Sequence, residues 1–243
     1  RCSGKLRPVP RNLPEHIRAF LNRCLAIRPD ERYRTWNEVI TVLEELYAGL
    51  GQGPAPEEIE QNGTDAAERQ SVASSYNEMG ASTAHLGKAS VALGYFEEAL
   101  SIFREIGDRR GEGASLRNLG NVYAALGEAS RALGYYEQYL AISREIGNRR
   151  GEGNARGSIG EVYRNQGDAR RAIGYHEQYL AIVREIGNQR GEGSALGSLG
   201  LAYAALGDVN RAIGYHQQQL GITREIGDRR GEGSALGNLG NAY

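Results

Sequence analysis

Apolar residues recur at spacings of three and four along most of the chain, as they do on the buried face of a helix. One such stripe lies in residues 111–127 and two neighbouring stripes lie in residues 128–147. The first stripe consists of Leu116, Leu119, Tyr123 and Leu126; the second of Leu133, Tyr136 and Leu140; the third of Tyr139, Ile142 and Ile146. No stretch of any length alternates as a strand would, so the pattern predicts an all-α protein.

The same pattern returns at a fixed interval. The stretch REIGDRRGEG, which starts at Arg104, recurs with small changes at Arg144, Arg184 and Arg224, a step of 40 residues each time. A constant period of this size is typical of repeat arrays, in which each unit packs only against its neighbours. It must be recognised before any shorter motif is interpreted.

Each unit is punctuated twice by a glycine followed by a polar residue. Gly107-Asp108 precedes the first helix of a unit, and Gly127-Glu128 divides that helix from the second. A glycine can take the left-handed conformation that ends a helix. An Asp or Asn can then accept a hydrogen bond from a free N–H of the next helix. The punctuation therefore predicts two helices in each unit, here called helix A and helix B.

The chain divides into three predicted segments. Residues 1–50 form a short helical region outside the repeat, with Leu13-Pro14 opening its first helix. Residues 51–65 contain two prolines and several glycines and are predicted to be a linker. The array fills residues 66–243, with units at about 68–107, 108–147, 148–187 and 188–227 and a partial unit at 228–243. The chain starts at Arg1 and stops within a repeat, so we expect it to be part of a longer protein.

Charge and composition exclude several classes of partner. The formal net charge is −1 and both signs are interspersed, so neither nucleic acid nor an anionic membrane surface is expected. No run approaches the ~18 apolar residues of a membrane span. The two cysteines, Cys2 and Cys24, are too few for a disulfide framework. A reducing, cytoplasmic location is the expectation that follows.

The repeated residues resemble the tetratricopeptide repeat family. Its helix A motif matches Leu116, Leu119-Gly120 and Tyr123, and its helix B motif of Ala, an aromatic residue and a small residue matches Ala92, Phe96 and Ala99. The resemblance implies an α-solenoid, a right-handed superhelix of helical hairpins. The 40-residue unit is similar to the subclass found in Pins-type G-protein-signalling modulators and in bacterial signalling proteins.

Several positions depart from the family pattern. The aromatic place of helix B is taken by His176 and His216 in later units, and the small place is taken by Tyr139, Tyr179 and Gln219. The proline that usually closes helix B is also missing. These departures leave the register intact, because the motif still recurs every 40 residues.

The N-terminal segment has a resemblance of its own. Residues 12–40, NLPEHIRAFLNRCLAIRPDERYRTWNEVI, look like the last helices of a Ser/Thr protein kinase domain, with Pro29 and Arg32 at the matching positions. In that family the arginine pairs with the Glu of an Ala-Pro-Glu motif, which this chain lacks. The Gly-rich loop, the His-Arg-Asp motif and the Asp-Phe-Gly motif are also absent. The alternative interpretation is an ordinary helical hairpin.

No set of residues predicts catalysis, a metal site or a cofactor. GEGxxxxG follows no strand and recurs in every complete unit, so it is not a phosphate-binding loop. His176 and His216 lie 40 residues apart without a converging ligand set, and we expect them to pack or to lie on the surface. Arg109 and Arg149 lie among glutamates, which predicts solvated charge pairs within each repeat. Gly120 is expected to allow close approach of helix B.

Helix A also carries polar residues between its core positions. In tetratricopeptide repeats these positions face a concave groove, and the resemblance therefore implies partner contacts here. The candidate partner-binding residues are Arg117, Asn118, Asn121, Ser158, Glu161, Arg164, Asn165, Ser198, Asn238 and Asn241. Asn can both donate and accept hydrogen bonds, and Arg can donate two parallel hydrogen bonds to a carboxylate. The alternative is an ordinary solvated surface.

Together these patterns predict a protein–protein interaction scaffold that is not an enzyme. A peptide or helix of a partner protein, with acidic residues facing Arg117 and Arg164, would lie in the groove. The alternative function is the C-terminal regulatory or substrate-recruiting part of a Ser/Thr protein kinase. A third option is a structural spacer. The partial last unit lacks a helix B over Leu236 and Leu239, so end-to-end self-association is also predicted.

Overall fold

A computed structural model describes residues 61–242, and every described element is an α-helix. The helices are α1 (Gln61–His85), α2 (Ala89–Glu105), α3 (Arg109–Ala125), α4 (Ala129–Glu145), α5 (Arg149–Asn165), α6 (Ala169–Glu185), α7 (Gln189–Ala205), α8 (Val209–Glu225) and α9 (Arg229–Ala242). The odd-numbered helices are the A helices and the even-numbered ones the B helices. No helix in this range has the length and apolar character required to cross a membrane.

The start of the array differs slightly from the sequence prediction. Helix α1 begins at Gln61, so residues 61–65, expected in the linker, are helical. The last proline before it is Pro56, and nothing after that residue forbids a helix apart from the modest cost of Gly63. The predicted helical region at 1–50, including its kinase resemblance, lies outside the described residues, as do residues 51–60.

The predicted punctuation is confirmed between the helices. Gly107 has φ 72° and Gly127 has φ 77°, both in the left-handed region, and the equivalent glycines of the later units agree. Asp108 caps α3 by accepting a hydrogen bond from the Gly111 N–H at 2.9 Å. Glu128 forms no such side-chain bond at the start of α4, because its longer side chain is a poor cap. Each unit therefore contains two helices of 17 residues from α3 to α8.

Helix A and helix B of a unit touch through a glycine. An added Cβ at Gly120 would lie 2.6 Å from Cε1 of Tyr136, and one at Gly80 would lie 2.6 Å from Cε1 of Phe96. No side chain larger than hydrogen fits without movement. The expectation for Gly120 is confirmed, and the ring that fills the space belongs to the aromatic place of helix B. Leu116 and Leu119 complete this core and are fully buried.

Two residues of the predicted apolar stripes are not core. Leu126 is 48 % exposed and Ile146 is 38 % exposed. Each follows the last residue of its helix, so the 3.6-residue periodicity no longer applies there. Tyr123 of the first stripe is buried, and its ring stacks on that of Tyr135 at 5.4 Å between ring centroids. The same pair recurs in the next two units.

The charged turns are more buried than the sequence suggested. Glu112 is only 5 % exposed, and its carboxylate accepts from Nε of Arg104, on helix B of the preceding unit, at 2.9 Å. Arg109 also pairs with Glu112, and it bonds Glu145 of its own unit. The prediction of solvated pairs within each repeat is therefore wrong for Glu112, which is a buried link between two units.

Candidate partner-binding site

The polar positions of three successive A helices meet at one cavity of about 480 Å³. Helix α3 contributes Arg117 and Asn121 to the lining, and α7 contributes Ser198. Helix α5 lies between them and contributes more lining residues than any other helix. We call this region the helix-A groove. Its polar and titratable lining consists of Arg117, Asn121, Tyr136, Asn154, Ser158, Glu161, Asn165, His176, Tyr179 and Ser198. Six of the ten residues predicted from the sequence are in this lining.

The room for the cavity comes from two substitutions between neighbouring units. In the unit 108–147, Tyr136 reaches past Gly120 and its hydroxyl donates to Oδ1 of Asn121 at 2.8 Å. In the next unit the shorter His176 stands at the same position and packs against Gly160. Gly157 stands where Arg117 stood 40 residues earlier. A smaller ring and a missing side chain leave space beside α5.

His176 is buried in the floor of the groove without a partner. Its side chain is 1 % exposed, and neither ring nitrogen has a hydrogen-bond partner among the described residues. Burial lowers the pKa of the imidazole to about 4, since the charged form is poorly solvated there; the negative charge of Glu161 opposes this and that of Arg164 adds to it. A neutral imidazole has one N–H donor and one acceptor nitrogen.

The two predicted groove arginines differ in the structure. Arg117 lines the cavity, its Nε is buried without a hydrogen-bond partner, and no described carboxylate forms an ion pair with it. Arg164 lies outside the lining and forms a salt bridge with Glu161 one turn earlier on α5. We expected both arginines to face acidic residues of a partner, but only Arg117 is available for this, because the i,i+3 spacing lets Glu161 neutralise Arg164.

The remaining predicted residues lie elsewhere. Asn118 is half-buried on α3 but does not line the cavity. Asn238 and Asn241 on α9 line a second, smaller cavity of about 250 Å³ together with His216. Nδ1 of His216 lies 3.4 Å from Oε1 of Gln219, which does not line that cavity. Eight of the ten predicted residues therefore line two separate cavities, and the other two, Asn118 and Arg164, line neither.

Four polar or titratable lining residues were not among the sequence candidates: Tyr136, Asn154, His176 and Tyr179. Three of them belong to helix B, which the resemblance assigned to packing. The signal for His176 was present, since a histidine at an aromatic position exchanges an apolar edge for two polar nitrogens. No signal in the sequence showed that Asn154, one turn before Ser158 on α5, would reach the same cavity.

The described residues contain no cluster of three or more His, Cys, Asp or Glu side chains that could hold a metal ion. His176 and His216 both pack against a glycine of helix A, at Gly160 and Gly200 respectively. Their expected role in packing is therefore confirmed. The chemistry of the groove is hydrogen bonding with one available positive charge.

Two sequence-family models, both described as tetratricopeptide repeat, match the chain at residues 71–145 and at residues 155–190 and 195–230. Together they cover more than half of it. The chain belongs to the tetratricopeptide repeat family. This agrees with the A/B hairpins and with the glycine-to-ring contact of each unit. No curated protein matches the chain in sequence.

Several solved structures of other proteins share the fold. A putative kinesin light chain with nearly identical TPR-like repeats from Podosopora anserina superposes with a TM-score of 0.60 at 20% identity, over 72% of this chain and 86% of that one. Aspartyl phosphate phosphatase F from Bacillus subtilis superposes with a TM-score of 0.67 at 14% identity, over 91% of this chain and 54% of the phosphatase. These similarities concern the fold alone.

A third similar structure is a signal-transduction ATPase with numerous domains and a tetratricopeptide repeat sensor, from Pyrococcus horikoshii. It superposes with a TM-score of 0.66 at 18% identity, over 86% of this chain and 30% of the ATPase. The chain therefore spans about half of the phosphatase and less than a third of the ATPase. The tetratricopeptide fold as a class supports a role as a protein-interaction scaffold.

Proposed function

We propose that this chain is a scaffold that holds an extended segment or a helix of a partner protein along the helix-A groove. The observation that supports this most strongly is the convergence of polar side chains from α3, α5 and α7 at one cavity. Specific sites are typically concave, with a few convergent polar groups.

The amides of the groove suit the backbone of a bound segment. Asn121 accepts from the Tyr136 hydroxyl through Oδ1, which fixes the amide and leaves its NH₂ group free to donate. Asn165 is exposed at the other side of the cavity and offers a donor and an acceptor. A peptide backbone presents hydrogen-bond donors and acceptors along its length, so fixed amides can bind it without specific contacts to each side chain.

Arg117 supplies the charge preference of the proposed site. Arg164 is neutralised by Glu161, whereas Arg117 has no paired carboxylate among the described residues. Leaving a partly buried guanidinium unpaired is costly, and an acidic group of a partner would relieve that cost. We therefore propose that the bound segment carries Asp or Glu.

The test is selection of binding peptides from a random peptide library displayed on phage, with the purified 243-residue chain as target. Asn121→Ala combined with Asn165→Ala should weaken binding of the selected peptides at least about tenfold, since about 1 kcal/mol is lost per hydrogen bond. The control is Arg150→Ala, an exposed residue of the first turn of α5, which should bind as the wild type does. If Arg150→Ala abolishes binding and the double variant does not, the proposed groove is wrong.

A second candidate concerns the parent protein. Residues 12–40 resemble the end of a Ser/Thr kinase domain, so the array could recruit substrates or regulators to such an enzyme. We propose this as the alternative function, and the coding sequence upstream of Arg1 tests it. His-Arg-Asp and Asp-Phe-Gly motifs there would support it, and an upstream sequence without them would refute it.

A further inference from the structure

A small cleft of about 130 Å³ opens where the helix-A groove reaches the turn between helix A and helix B. It is lined by Ala124, Gly127, Ala129, Val162, Asn165 and Gln166. Three of these residues, Ala124, Val162 and Asn165, also line the groove, so the two spaces are continuous. A segment lying in the groove can therefore continue into this cleft, which we call the turn cleft.

The mouth of the turn cleft differs in sequence from the same place in the neighbouring units. Asn165-Gln166 at the end of α5 stand where the preceding unit has Ala125-Leu126 and the following unit has Ala205-Leu206. Asn165 and Gln166 are both exposed at this mouth. Two adjacent carboxamides, each with donors and an acceptor, therefore replace an apolar pair at this one position of the stack.

The floor of the turn cleft is apolar, and none of its lining residues is charged. Val162 is buried, Ala124 and Ala129 are half-buried, and an added Cβ at Gly127 would meet no atom within 4 Å. The volume is about four times the roughly 30 Å³ that a water molecule occupies in the liquid. That space suits the four side-chain carbons of Leu or Ile better than the seven of Phe.

We propose that the turn cleft receives a Leu or Ile side chain of the bound segment, at the point where the segment leaves the helix-A groove. This inference rests on the proposed function and adds an aliphatic subsite to it. The aliphatic side chain packs on Val162 and Ala129. The amide of Asn165, which lines both spaces, holds the backbone at the crossing, and the carboxamide of Gln166 bonds the next peptide group.

Other occupants suit the turn cleft less well. A charged side chain would lose hydration against a floor that offers it no opposite charge, which is costly. An aromatic ring exceeds the volume. A segment of Gly and Ala alone would bury little of the apolar floor, so it would gain little from the hydrophobic effect.

The first experiment uses two small probes of similar size, N-acetyl-leucine methylamide and N-acetyl-asparagine methylamide. The readouts are the NMR methyl signals of Ala124, Ala129 and Val162 in the isotope-labelled 243-residue chain. The leucine probe should shift all three signals, and the asparagine probe should shift none. Peptides selected on phage should carry Leu or Ile, and its replacement by Ala should weaken their binding at least about tenfold, since most of a buried aliphatic side chain is lost.

Variants of the turn cleft provide a second arm. Asn165→Ala with Gln166→Leu restores the Ala-Leu pair of both neighbouring units, so it should fold, and its leucine should close the cleft and abolish the response to the leucine probe. Ala129→Leu should fill the cleft directly and weaken the selected peptides at least about tenfold. The matched control is Ala89→Leu, at the same position of α2 and outside the cleft, which should respond as the wild type does. Circular dichroism checks that each variant keeps its helices.

Three results would overturn the proposal: no shift with the leucine probe, an equal shift with the asparagine probe, or a full response in the Asn165→Ala, Gln166→Leu variant. If selected peptides bind the groove and Ala129→Leu leaves their affinity unchanged, the aliphatic subsite is wrong and the scaffold stands. If the leucine probe occupies the turn cleft but no peptide binds the groove, the cleft takes an aliphatic group and the scaffold is wrong.

Discussion

A Cβ added at Gly120 would lie 2.6 Å from Cε1 of Tyr136. This contact holds helix A against helix B, and it recurs 40 residues later between Gly160 and the ring of His176. The sequence repeat therefore reproduces one packing contact, in which the ring of a helix B residue lies directly against a glycine of helix A.

Gly120→Ala should destabilise the array. The added methyl group forces Tyr136 or helix B to move, and overpacking of this kind costs about 1–3 kcal/mol, more than the roughly 0.5–1 kcal/mol that alanine gains inside a helix. Urea unfolding followed by circular dichroism measures the difference. The control is Gly134→Ala on α4, where an added Cβ meets no described atom within 4 Å. That variant should be more stable than the wild type, and equal effects of the two would contradict the steric account.

Glu152→Gln should weaken the link between the units 108–147 and 148–187. Burial alone would raise the pKa of Glu152, but hydrogen bonds from Arg156, Arg144 and Arg149 outweigh it and lower the pKa to about 2. Removing the charge should cost roughly 1–3 kcal/mol at neutral pH. The comparison is Glu145→Gln, an exposed glutamate paired with Arg109, which should change stability little.

The same glutamate gives an expected pH dependence. Its pKa is lowered in the folded state, so its contribution to stability is complete above the ordinary value of 4.5 and is lost as the pH falls toward about 2. The stability difference between the wild type and Glu152→Gln should therefore shrink over this window. A difference that stays constant from neutral pH to pH 2 would show that Glu152 acts through shape rather than charge.

His176 should make the stability of the array sensitive to acid at higher pH values than Glu152 does. Burial lowers its pKa from 6.5 to about 4, so the unfolded chain takes up the proton first as the pH falls from 6.5 to about 4. The free energy of unfolding should decrease over that range. His176→Tyr removes this term, and its free energy of unfolding should decrease less steeply there. Identical pH profiles for the wild type and the variant would contradict the buried, neutral imidazole.

Amide hydrogens of helix α9 should be less protected from exchange with solvent than those of the other helices in the last two units. Leu236 is 47 % exposed on α9, whereas Leu116 and Leu196 at the same position of earlier units are fully buried. Amides of α9 should exchange hydrogen faster than those of α4 to α6. Leu236→Lys should reduce any concentration-dependent association seen in sedimentation, since it removes an exposed apolar group. Protection of α9 equal to that of α5 in a monomeric chain would contradict this.

The 40-residue repeat was enough to predict the helical hairpins, because spacing and glycine punctuation are properties of the sequence alone. It was also enough to predict that Gly120 meets helix B. Leu126 was assigned to the core because periodicity cannot show where a helix ends. The burial of Glu112 was not predicted. Its partner Arg104 lies only eight residues earlier in the same recurring stretch, but the sequence does not show that the two side chains meet across the turn between two units.

The candidate site was predictable in its residue types but not in its geometry. Arg117 and Arg164 look equivalent in the sequence, yet only Arg164 has an acid one turn away on the same face, at Glu161. The role of His176 required the cavity, because a histidine at an aromatic position is compatible with simple packing. The cavity lies where His176 follows Tyr136 and Gly157 follows Arg117 in the stack.

The helix-A groove is tested most directly by mapping where a bound peptide changes the NMR spectrum. A peptide selected from a random library would be added to the isotope-labelled chain, and backbone amide shifts would be recorded along α1 to α9. We predict that the largest changes fall on α3, α5 and α7, around Asn121, Ser158 and Ser198. Changes concentrated in α4, α6 and α8, or in the turns around Arg110 and Arg150, would contradict the groove as the site of partner binding.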